Sequence, residues 1–201
     1  MKKCVGLFAG IGGMELGLQA GGFQSELLCE ILPEAQAVLR ERFAGVDLRA
    51  DVKTLRSIPS DTSLLCAGFP CQDLSSSGHK RGIAGLRSCL VGDVFRLLEK
   101  KKCEWVLLEN VKFMLHLGGG EAMANITKAL EALGYRWAYR VMNSQNFGVP
   151  QRRERVYILA SKTMNPSRVL FREPVDAPPA INKPVDTSAP VGFYWTEGTY
   201  A

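Results

Sequence analysis

Cys71 follows Gly68-Phe69-Pro70, and a thiol there has the chemistry of a nucleophile. The apolar run Ser63 to Ala67 reads as a buried strand, so Cys71 falls at a strand end with its backbone constrained by the preceding proline. Cys66, inside the run, reads as packing. The thiolate is the reactive form, and a free cysteine with a pKa of about 8.5 is mostly thiol at neutral pH, so nearby positive charge favours reaction. Positive charge is close in sequence: Ser75 to Ser88 is rich in Ser and Gly, lacks apolar periodicity and carries His79, Lys80, Arg81 and Arg87. A loop of this kind beside a nucleophile can close over a phosphate backbone. A second strand, Trp105 to Leu108, continues into Glu109-Asn110-Val111 and delivers an acid to the same sheet edge as Cys71. Arg153 and Arg155 lie before the last strand; if extended, they project to one face and Glu154 to the other. Two guanidiniums there can bind phosphate, a carboxylate or a base carbonyl.

A second group of residues has the pattern of a nucleotide-like ligand site. Strand one, Cys4 to Phe8, runs into Phe8-Ala9-Gly10-Ile11-Gly12-Gly13, where glycines let the chain turn tightly before a helix. Glu30 ends strand two, twenty residues after Gly10, the place from which an acid reaches ribose hydroxyls in nucleotide-binding α/β folds. The third glycine of a dinucleotide fingerprint would fall on residue 15, which is Glu15, so a pyrophosphate cofactor is disfavoured. Adenosylmethionine, an adenosine without phosphate, remains compatible. Asp51-Val52, after a third short strand, adds another candidate contact at a strand end.

The elements that must carry these residues alternate. Strands at 4–8, 26–29, 63–67, 105–108 and 155–160 are interleaved with helical patterns at 13–20, 33–43, 89–100 and 120–133, the second opened by a proline suited to a first helical turn. Alternation predicts an α/β fold with a mostly parallel sheet and helices on both faces. Six of the ten prolines fall between Pro166 and Pro190. We therefore expect a packed domain over 1–161 and a proline-rich extension over 162–201. The net charge of +5 suits a polyanionic partner. No segment approaches the length of a membrane helix. Six cysteines without a CxxC pair, and two histidines, argue for reduced thiols and a cytoplasmic location rather than a metal site.

Taken together, these blocks and their order resemble the DNA (cytosine-5) methyltransferases. The strings Gly68-Phe69-Pro70-Cys71-Gln72, Glu109-Asn110-Val111 and Gln151-Arg152-Arg153-Glu154-Arg155-Val156 carry the resemblance, together with Phe8 to Gly13 and with Gly82, Arg87-Ser88 and Leu90; it runs from about Val5 to Ala160. It implies the Rossmann-like fold of class I adenosylmethionine-dependent methyltransferases. It also implies a cofactor site of Phe8, Ala9, Gly10, Ile11, Gly12, Gly13, Glu30, Ile31, Asp51, Val52, Gly68, Pro70 and Leu90. The implied chemistry is addition of Cys71 to C6 of a cytosine flipped out of double-stranded DNA, with Glu109 at N3 and the exocyclic amine, Arg155 at O2 and Arg153 in support. Gln72, Ser75 and Arg87 are implied substrate contacts. Two positions depart from the family pattern, Gly6 and Leu32, where acids are usual. The family's target-recognition region and closing motif are expected beyond residue 201 or on a second chain. A subunit needing such a chain, and a tRNA-methylating enzyme, are the alternative readings.

Overall fold

The computed structural model describes residues 1–70 and 90–172. Among them the chain forms strands β1 (Lys2–Leu7), β2 (Phe23–Cys29), β3 (Asp47–Arg49), β4 (Leu64–Gly68), β5 (Trp105–Val111), β6 (Arg136–Asn143) and β7 (Glu154–Ser161). Between and after them lie helices α1 (Gly13–Ala20), α2 (Pro33–Arg42), α3 (Leu90–Lys100), α4 (Glu121–Ala132) and the short α5 (Ser167–Leu170). The strands form one sheet in the order β3-β2-β1-β4-β5-β7-β6. β3, β2, β1, β4 and β5 pair in parallel, and β7 pairs with β5 antiparallel. This is the α/β architecture expected from the alternation of elements, and the Rossmann-like fold that the family resemblance implies.

Parallel strands need crossovers, and the crossovers cover the sheet. Leu64, Leu65, Cys66 and Ala67 of β4 are all buried although successive side chains point to opposite faces, so both faces are covered there. The largest contribution comes from α3, whose Val91, Val94, Phe95, Leu97 and Leu98 are buried on a helical stripe. On its other side Arg96 bonds Asp93 and donates to the carbonyls of Val52 and Leu55 at 2.9 and 2.7 Å. That guanidinium ties the segment after β3 to the helix.

The sequence pattern misses β6. This strand sits at the sheet edge and alternates Trp137, Tyr139 and Val141 with other residues, including two arginines, so no continuous apolar run marks it. The chain divides into two compact units, a first whose described part is 1–70, 90–142 and 154–172, and a second whose described part is 143–153. Lys162 N–H donates to the Glu104 carbonyl at 3.2 Å, and α5 follows, so the first unit continues past Ser161. Within 143–153, Asn143 Oδ1 accepts from the N–H groups of Gln145 and Arg153, and Ser144 N–H donates to the Arg153 carbonyl. No helix among the described residues is long and apolar enough to cross a membrane.

Phe95 is fully buried in the main core cluster. Phe95→Ala is expected to lower unfolding stability by about 4 kcal/mol, measured by urea titration.

Candidate active site

Parallel pairing brings the C-terminal ends of β1, β2, β4 and β5 to one edge, and the candidate residues follow those ends. Past β1, Phe8 adopts φ 55°, an unusual value for a side chain of this size, and Gly10 and Gly12 follow at φ 55° and 86°. The turn is held from the β2 side. Ala9 N–H donates to the Cys29 carbonyl at 3.0 Å, and Gly10 N–H donates to Glu30 Oε2 at 2.7 Å. Glu30 Oε1 accepts from Leu32 N–H at 2.9 Å. Glu30 is 7% exposed, and each carboxylate oxygen, with one backbone donor assigned, retains capacity for a further hydrogen bond.

These residues border a cavity of about 540 Å³ lined by Phe8, Glu30, Ile31, Asp51, Gly68 and Leu90, with Cys29, Leu32, Ala50, Val52 and Pro70 completing the wall. Its size is that of a small-molecule site. Its chemistry is two carboxylates among apolar side chains, and the described lining contains no Lys or Arg. Such a wall suits a nucleoside with hydroxyls and positive charge, and offers no cation for a pyrophosphate. Asp51 is fixed by its own turn: Oδ1 accepts from Lys53 N–H at 2.9 Å, and Arg96 holds the carbonyls that follow.

At the chemical end Gly68 of β4 stands opposite Glu109 of β5. A Cβ at Gly68 would lie 3.3 Å from Glu109 Oε2, tighter than ordinary contact, so glycine gives the carboxylate its room. Glu109 pairs with Arg155 through Oε1 and Nε at 3.0 Å, and both side chains are partly exposed. Arg155 reaches Glu109 because β7 runs antiparallel, so that its first turn of chain lies beside the last residues of β5; Val111 pairs with Arg155 in the ladder. Asn110, on the opposite face of β5, is buried. Its Nδ2 donates to the Phe69 carbonyl at 2.9 Å and its Oδ1 accepts from Val111 N–H at 2.8 Å. The strand exit leading to Pro70 is thereby fastened two residues before Cys71.

Of the expected site residues, Phe8, Glu30, Ile31, Asp51, Val52, Gly68, Pro70 and Leu90 line the cavity. Ala9, Gly10, Ile11, Gly12 and Gly13 form the adjoining turn and start of α1 without lining it. Glu109 and Arg155 meet. Arg153 lies before β7 and in the second unit, so the extended conformation that would align it with Arg155 is not part of the strand. Cys71, Gln72, Ser75 and Arg87 lie outside the described residues. Sequence reasoning named Leu32 only as a departure from the family pattern and did not single out Cys29, Ala50 or Asn110 as site residues. Cys29 carries only the signal of a core strand, whereas Leu32 could have been found from its place two residues after Glu30.

The family model for C-5 cytosine-specific DNA methylases matches residues 2–187. Type II methyltransferase M2.BsuMI of Bacillus subtilis strain 168 is 49% identical over 202 residues, covering 98% of this chain and 52% of that protein. Type II methyltransferase M.HhaI of Haemophilus parahaemolyticus is 33% identical over 177 residues, 87% of this chain and 54% of that protein. Among solved structures, S. pombe Dnmt2 methyltransferase superposes with a TM-score of 0.65 at 22% identity, over 82% of this chain and 50% of that one. A putative DNA modification methyltransferase from an E. coli prophage gives 0.63 at 21%, over 88% and 49%. The chain thus spans about half the length of these two curated relatives.

Burial separates the described cysteines from any nucleophilic role. Cys4, Cys29, Cys66 and Cys103 are free and buried. Burial raises all four thiols, with Cys29 and Cys103 pushed up to about 12 and Cys66 well above its ordinary value. Of six cysteines, these four are expected to resist an aromatic disulfide reagent at pH 8 until denaturant is added, leaving at most two fast-reacting thiols. Quantifying released chromophore before and after unfolding checks the count.

Proposed function

The chain belongs to the C-5 cytosine-specific DNA methylase family, and from that premise we propose that it carries the cofactor-binding and nucleophilic part of a DNA (cytosine-5) methyltransferase of the restriction-modification kind. The observation that carries the reading is the common edge: a phosphate-unfriendly nucleoside cavity opens beside a strand-end carboxylate paired with an arginine, next to the segment that leads to Cys71.

The residues fit adenosylmethionine. Glu30 and Asp51 would hold its hydroxyls and charged groups, and Phe8, Ile31, Val52 and Leu90 its adenine. When bound, this cofactor supplies an electrophilic methyl group on a sulfonium. The rest of the chemistry belongs to the chain and the base. C5 of cytosine is too weak a nucleophile to react unaided, so the Cys71 thiolate adds to C6 and turns the ring into an enamine. Glu109 bonds N3 and the exocyclic amine, which stabilises the protonated ring as the adduct forms, and Arg155 holds O2 while keeping Glu109 oriented. Removal of the C5 proton and expulsion of Cys71 restore the aromatic base. Asn110 positions the segment carrying Cys71 through the Phe69 carbonyl. The target base must leave the duplex for the thiol to reach its face, and double-stranded DNA is the proposed partner.

Two measurements test this. Glu30→Ala is expected to weaken binding of adenosylhomocysteine tenfold or more by calorimetry, since hydrogen bonds to a charged group contribute about 1.5–3 kcal/mol. Duplex DNA with 5-fluorocytosine at the target base, incubated with adenosylmethionine, is expected to form a denaturation-stable adduct with the wild-type protein and none with Cys71→Ala. An adduct that survives loss of Cys71 sinks the nucleophile assignment.

A further inference from the structure

Glu15 is the one buried residue of α1, at 1% exposure, and neither the cavity lining nor the proposed chemistry uses it. Its surroundings show how an acid fits against the sheet. A Cβ on Gly6 of β1 would lie 2.1 Å from Glu15 Oε1 and 2.9 Å from its carboxyl carbon. The carboxyl group therefore occupies the space that any side chain at position 6 would need. Oε1 accepts from the Cys66 thiol of β4 at 3.6 Å, and Oε2 is buried without a partner. β1 leads directly into the turn at Phe8, β4 leads directly into Gly68 of the cavity wall, and Met14 Cε would lie 3.7 Å from a Cβ at Gly68. The acid thus joins α1 to the two strands that frame the cavity.

We propose that Glu15 is a positioning residue for the cofactor turn: its carboxyl group, seated in the space left by Gly6 and bonded by Cys66, fixes the start of α1 and with it the backbone from Phe8 to Gly12. The purpose assigned to the turn rests on the cofactor reading above, whereas the packing role does not. Replacing Gly6 by a residue with a side chain expels the carboxyl group, and truncating Glu15 leaves a void under α1. The pair is therefore coupled, each residue accounting for the other.

The acid has a pH dependence of its own. Burial, with the charge of Glu30 adding to it, pushes the Glu15 carboxyl above the usual carboxylate range. The groups that face it are the Cys66 thiol from β4, the Cys4 thiol from β1 and Glu30 after β2, and the causes of its shift include no basic side chain. The folded state therefore holds the proton more tightly than the unfolded state does. The contribution of the neutral acid is complete at low pH and is lost as pH rises through the raised folded value. Glutamine at position 15 keeps the shape and cannot ionise.

The test compares wild type, Glu15→Gln, Glu15→Ala, Gly6→Ala and the double variant Gly6→Ala/Glu15→Ala upward from the ordinary carboxylate value of 4.5 to neutral and mildly alkaline pH. Two quantities are read: amide-exchange protection of residues 8–20, corrected for intrinsic rates, and the Kd for adenosylhomocysteine. At the acid end of the range Glu15→Gln is expected within about twofold of wild type in both, while Glu15→Ala and Gly6→Ala each lose about tenfold, with the double variant at least about fivefold better than the product of the two. Protection in wild type falls as pH rises and that of Glu15→Gln does not. Unchanged exchange in Glu15→Ala, or strict additivity of the two substitutions, overturns the proposal. If wild type binds no adenosylhomocysteine, the cofactor reading fails, and exchange alone decides the role of Glu15.

Discussion

The register between β4 and β5 sets Gly68 opposite Glu109, and both halves of the site hang from that pairing. Gly68 lines the cavity, and a Cβ added there would lie 3.3 Å from the Glu109 carboxylate. A side chain there would require the carboxylate to give by a few tenths of an ångström. The separation between whatever occupies the cavity and whatever Glu109 grips is thus fixed by a main-chain ladder, the stiffest ruler a fold possesses, and by the absence of one methyl group. Asn110, one residue on and facing the other way, uses the same ladder to hold the Phe69 carbonyl. Neighbouring residues of one strand therefore set the acid and the approach to Cys71 together.

The reversed strand β7 solves a delivery problem. In a wholly parallel sheet only C-terminal strand ends reach the ligand edge, and a residue at the start of a strand emerges at the opposite rim. β7 runs the other way, so Arg155 at its beginning arrives beside Val111 at the end of β5 and can pair with Glu109. The guanidinium is then held by sheet geometry rather than by a loop, and an Arg–carboxylate pair keeps both planes oriented before any substrate is present. The side chains are partly exposed, so the pair remains open to exchange with an incoming polar ligand.

Most of this was legible in the sequence where one residue type has one physical use. Glycines after a strand, an acid at the end of the next, a proline before a cysteine and apolar runs bounded by punctuation mark the cavity turn, Glu30, the β4 exit and five of the seven strands, with β3 implied only as a short strand before Asp51. Legibility failed where the information is relational. The strand β6 hides because edge strands need no apolar run. Asn110 and Arg96 act through backbone carbonyls distant in sequence, at Phe69, Val52 and Leu55, and composition gives no sign of such partners. Gly6 and Glu15 look like isolated departures from a pattern, and only their contact reveals that one residue makes room for the other.

The fold also bears on the proposal that the nucleophile stands past a strand end rather than within a strand. Four cysteines are built into the core, and there desolvation makes thiolate formation costly, strongly so at Cys29 even though it borders the cavity and three carboxylates raise it further. A nucleophile therefore cannot come from the strands, however close a strand thiol lies to the ligand. It must stand past the strand end, where solvent and cations can stabilise the anion, yet on a backbone stiff enough to be aimed. The Phe69 carbonyl fastened by Asn110 and the fixed φ of Pro70 supply the stiffness immediately upstream of Cys71. His79, Lys80, Arg81 and Arg87 follow it in sequence with the positive charge that an anion requires.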